Sequence, residues 1–145
     1  MMIEREGRLK TAENSQIIYD LNSRVYLLSE FTNVVHFIQV PFPSMVSSQY
    51  MLSKLNEFCQ QFEFVILLAD YTENKKRESS EIRALANSYL LNLNIKHISF
   101  ITGKNKILNA AISIAIKKTG IKSFSLHKNY AEAINLMPSL IKNFE

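Results

Sequence analysis

The chain has 145 residues, 47% hydrophobic and 21% charged, with three Gly and three Pro, so it has the size of one domain and lacks the polar, Pro-rich composition of disorder. One cysteine excludes a disulfide scaffold, and the longest apolar run, residues 107–116, is too short to span a bilayer. The net charge is only +4, yet no Asp or Glu occurs between Ile82 and Ala131, where Arg83 and seven lysines fall. Met1 to Asn14 is charged without an apolar run, which reads as a flexible N-terminal segment and not as a signal peptide or anchor. The remainder, 15–145, is expected to form a single domain in the cytoplasm.

Gln16 to Leu21 and Arg24 to Glu30 read as two strands of a hairpin, joined at Asp20-Leu21-Asn22-Ser23, whose Asp and Asn favour a tight turn. Asn33 to Val40 is a third β-rich run, stopped by Pro41 and Pro43. After Ser44 the period changes. Met51, Leu52, Leu55, Phe58, Cys59 and Phe62 recur at three and four residues, the stripe of a helix on a sheet, and Cys59 falls on its buried side. Phe64 to Leu68 is apolar without interruption, as a central strand covered on both faces requires, and Asp70 closes it.

From there strands and helices alternate. Ser79 or Ser80 caps a helix with apolar positions at Ile82, Leu85, Ala86, Tyr89, Leu90 and Leu93. Ile98 to Ile101 is the next strand, Thr102-Gly103 turns it into a helix over 104–119, and Gly120 ends that helix. Ser123 to Leu126 is the last strand. Asn129 and Glu132 have capping-box spacing ahead of a final helix that Pro138 should bend or break. The predicted architecture is α/β, a mixed sheet with an N-terminal hairpin and four helices packed mainly on one side.

This order of elements resembles the STAS domain of anti-anti-sigma factors and its SpoIIAA-like relatives, over roughly Gln16 to Ile141. Ile66-Leu67-Leu68-Ala69-Asp70 is similar to that group's central strand, and Lys128-Asn129-Tyr130-Ala131-Glu132-Ala133-Ile134 to its closing segment. The resemblance implies a non-enzymatic domain that binds a protein partner. In phosphorylated members an Asp-Ser-Ser-Gly-type segment opens the helix after the central strand. Here Glu78-Ser79-Ser80-Glu81 takes that place, which makes Ser79 the candidate phosphoacceptor, while Glu78 and Glu81 depart from the pattern. Two serines at a helix start are first of all caps.

No catalytic, cofactor or metal constellation is legible. His36, His97 and His127 fall in or at the end of separate strands without an acid at ligand spacing, and there is no His-x-x-x-His, no nucleophile elbow and no Gly-rich phosphate loop. The basic half lacks a nucleic-acid reader motif. Two features remain. Lys104 and Lys106 stand at a helix start, where the dipole disfavours cations, so they either reach into water or offset an anion. The helix 107–116 is apolar almost all round, with Asn109 and Ser113 on one narrow face. Leu108, Ile112, Ile114 and Ala115 are therefore either buried between sheet and helices or part of an interface with a partner or a second copy. A small anionic or lipid-like ligand is the other class of occupant left open by these features.

Overall fold

The computed structural model describes residues 2–3, 8–10 and 17–145. Its main body is a five-stranded mixed sheet in the order β4 (Val25–Leu27), β5 (Val34–Ile38), β6 (Val65–Asp70), β7 (Ile95–Ile101), β8 (Phe124–His127). β4 is antiparallel to β5, and β5 to β8 are parallel neighbours in chain order. Each parallel step needs a crossover, supplied by helices α1 (Met45–Cys59), α2 (Ser80–Leu90) and α3 (Lys106–Ile116); α4 (Tyr130–Phe144) follows β8. No helix of the described residues is long and apolar enough to cross a membrane.

Alternation along the strands builds two cores. Val35, Phe37, Val65, Leu67, Ala69, Ile98 and Phe100 point to α1, α2 and α3, joined by Met51, Leu52, Leu55, Cys59, Ile112 and Ile116. Val34, Ile66, Leu68 and Ile101 point the other way, to Ala133 and Met137 of α4. β6 lies at the centre, and Ile66 and Leu68 are wholly buried, each contributing about 1.5–3 kcal/mol. Three helices thus share one face, while the fourth covers the other. Burial pushes the Cys59 thiol up to about 12, so it is an inert part of the first core.

Helix ends follow their caps. Ser44 and Ser47 form a reciprocal capping box on α1, Ser79 accepts from the Ile82 amide at 3.2 Å, and Asn129 accepts from the Glu132 amide at 2.8 Å. Asn105 caps α3 by accepting from the Leu108 amide at 3.0 Å, so the helix begins at Lys106 and not at Lys104. Gly103 and Gly120 take positive φ at the two turns that flank α3.

Two expectations are corrected. The strands on either side of Asp20-Leu21-Asn22-Ser23 do not form a hairpin. β3 (Ile17–Tyr19) pairs antiparallel with β2 (Arg8–Lys10), which pairs with β1 (Met2–Ile3), whereas β4 pairs with β5. The turn is present, with Arg24 N donating to Leu21 O at 3.1 Å, and it passes the chain from one sheet to the other. Part of the predicted first strand, including Gln16, lies outside the described residues, as does most of the segment 1–14. Pro138 does not break the last helix either. Met137 before it and Leu140, Ile141 and Phe144 after it pack on the second core, and the exposed proline ring faces outward.

Candidate functional site

The polar loop between β6 and α2 is pinned to the end of β5. Lys75 and Lys76 amides both donate to Pro41 O, and Gln39 Nε2 donates to Glu78 Oε2 at 2.9 Å. Gln39 is buried; its Oε1 accepts from the Val40 amide, and its main-chain oxygen accepts from Arg24, whose guanidinium also pairs with Glu73 at 3.3 Å. Burial raises the pKa of Glu78, against the Gln39 hydrogen bond and the nearby Arg83 and Arg77. These bonds set where α2 starts and how it lies on the sheet.

α2 leans on α1 and leaves α3 standing apart. Of its residues only Ile82 is fully buried. Between α2 and α3 runs a cleft of about 510 Å³ lined by Tyr71 and Phe100, whose rings lie 6.1 Å apart at 37° to one another. Ala84, Ala86, Asn87 and Leu90 form one wall; Leu108, Ala111, Ile112, Ile114 and Ala115 form the other. Arg77 and Lys118 are exposed at the opening, with Arg83 half-buried beside them. A smaller cavity of about 60 Å³ lies beneath α2 and shares Tyr71, Glu78, Ala86, Leu90 and Phe100 with the cleft.

Leu108, Ile112, Ile114 and Ala115 are thus brought together on one wall, and both readings of this helix describe part of it. Ile112 is buried on the sheet, whereas Ile114 keeps 65% of its surface exposed and Ile107, just outside, 83%. Asn109 accepts a hydrogen bond from Thr102 and ties the polar face of α3 to the sheet edge. Lys104 and Lys106 are exposed on either side of the Asn105 cap and do not line the cleft. Ser79 is exposed at the N-terminus of α2, next to Ser80 of the rim. The cationic rim was not singled out from the sequence, because only the splay of α2 from α3 puts Arg77, Arg83 and Lys118 on one opening.

The three histidines lie on the α4 face of the sheet, and two of them meet. His97 Nδ1 is 2.6 Å from Ser123 Oγ and its Nε2 2.9 Å from Ser125 Oγ; Ser125 Oγ is 2.7 Å from His127 Nε2, and His127 Nδ1 is 3.6 Å from Glu132. With both rings neutral, one ordering of protons satisfies every link. His127 directs Nδ1–H to the carboxylate, Ser125 donates to His127 Nε2, His97 Nε2–H donates to Ser125, and Ser123 donates to His97 Nδ1. Burial and the neighbouring His127 hold His97 down to about 4. Neither the cleft nor the cavity reaches this ladder, which joins β7, β8 and α4. Its signal in the sequence is the period-two polar positions His97, Ser99 and Ser123, Ser125, His127.

His36 is apart from that pair. Its Nδ1 is 2.7 Å from the Tyr26 hydroxyl, its buried Nε2 has no hydrogen-bond partner, and burial lowers its pKa against the opposing pull of Asp70. Among the described residues no group of three or more His, Cys, Asp or Glu could hold a metal ion.

Comparison of the sequence with protein-family models, with curated proteins and with solved structures finds no match.

Proposed function

We propose that this chain is a non-enzymatic, STAS-like binding module of the cytoplasm that engages a protein partner through the α2–α3 cleft. One observation carries the reading: an apolar channel along two helices, open to solvent, in a domain whose other helices are seated on the sheet. Its lining includes Ser80, Thr119 and Glu78, but the Thr119 hydroxyl donates to Ile116 O and Glu78 accepts from Gln39, so neither belongs to a nucleophile–base pair of the kind acyl or phosphoryl transfer requires. The consecutive order of β5 to β8, each followed by a helix, supports the STAS-like assignment. In this reading Ser79, exposed where α2 begins, is the candidate phosphoacceptor.

A second reading, a small anionic or lipid-like ligand, is favoured by the volume of the cleft, which lies in the range of small-molecule sites. The two are separated by placing a photo-cross-linking amino acid at Ala111, in the cleft, or at Val46, exposed on α1. A discrete protein adduct from position 111 and none from 46 is the expected result. Adducts of equal yield at both positions would remove the cleft as the binding surface.

A further inference from the structure

Building on the cleft reading, we propose that its occupant is an acidic amphipathic helix of another protein, lying along α2 and α3 with its apolar side on the floor and its carboxylates on the rim. The walls are themselves helices, whose main-chain groups are already bonded, so they offer no edge on which an extended strand could pair. Ala86 of α2 and Ala111 and Ala115 of α3 are in the lining, and these small side chains leave room for a third helix at the usual 8–10 Å between axes.

Charge decides the chemistry. Arg77 and Lys118 are exposed at the opening, Arg83 is half-buried beside them with Nη1 donating to Glu78 O, and residues 83–131 contain no carboxylate. The one acid in the lining, Glu78, accepts from Gln39 and has Arg77 and Arg83 as charged neighbours, so three cations against one carboxylate leave the opening net positive. A second copy of this chain is a poor occupant: seating α3 on α3 sets Lys104 and Lys106 against Lys117 and Lys118 when antiparallel, and each pair against itself when parallel.

The probe is a dye-labelled 18-residue helical peptide with Leu on one face and Glu on the other, compared with a twin carrying Lys for Glu and with hexadecanoate as competitor. Fluorescence anisotropy should show the acidic peptide binding at least tenfold tighter than its twin, with the difference shrinking at high salt. Ala115→Trp, which fills the channel, should abolish binding, and Arg77→Glu with Lys118→Glu should weaken it at least tenfold while circular dichroism stays that of the parent. Equal binding of the twin, binding unchanged by Ala115→Trp in a folded variant, or hexadecanoate binding with displacement of the peptide would each overturn the proposal. If neither peptide binds while Ala111 still cross-links a protein, the helical occupant is wrong and the cleft reading stands; loss of both results removes the cleft itself.

Discussion

His97 is buried between His127, Ser123 and Ser125, and it folds as the neutral imidazole. A base whose folded pKa is lowered takes up protons more readily when unfolded, so its contribution to stability is complete above the unfolded value of about 6.5 and is lost as pH falls towards about 4. His36, also lowered, acts with the same sign. Urea denaturation at pH 7.5, 5.5 and 4 should show a decline, of which His97 accounts for up to about 3 kcal/mol. In His97→Gln the decline should shrink; an unchanged decline would take His97 out of the acid response. At Ser79 the cap is worth about 1 kcal/mol, so Ser79→Ala should lose that much and Ser79→Asp, which can cap, only a few tenths. Equal losses would show that the hydroxyl does not cap. The cap at Asn129 was legible and that of α2 was narrowed to Ser79 or Ser80, because a cap needs only a side chain and the amide three residues on. The meeting of His97 with His127 was not, since it depends on the register of two strands 26 residues apart in sequence.

At the scale of elements, period and continuity carried the reading where a segment's burial depends on its own residues. Phe64 to Leu68 read as a strand covered on both faces, and β6, at Val65–Asp70, is the middle of the sheet. Ile66→Asp would bury an unpaired charge at a cost of several kcal/mol, so the variant should be unfolded at room temperature by circular dichroism. A variant as heat-stable as the parent would move Ile66 out of the core. Partner choice was less legible: the Asp20–Ser23 turn was read correctly as a turn, but a turn does not say which strands it joins. Pro138 is a different case, since it does not break the helix. A proline removes the bond to Ile134 O, yet α4 is held by apolar contacts on both sides of it, and packing outweighs the local loss. Pro138→Ala should restore that bond and raise stability by about 1 kcal/mol or more in denaturant titrations. A lower midpoint would mean that the ring itself supports α4.

For the whole molecule, the unevenness of cover is the informative property. The sheet is closed by α1 on one side and α4 on the other, while α2 and α3 diverge over Phe100 and leave Ile114 in solvent. The apolar character of residues 107–116 left burial and an interface both open, and did not show that α2 would supply the opposite wall. With lysines at both ends of α3 and a net charge of +4, the chain alone should sediment as a monomer at micromolar and tenfold higher concentration. A dimer dispersed by Ile114→Glu would assign this surface to self-association. The most direct measurement is hydrogen exchange on the free chain and on its complex with the protein cross-linked through Ala111. Slowed exchange is expected over 80–91 and 106–119, with α4 and β4 unchanged. Protection confined to α4 or to the β4 edge, with α2 and α3 exchanging as in the free chain, would contradict a functional cleft.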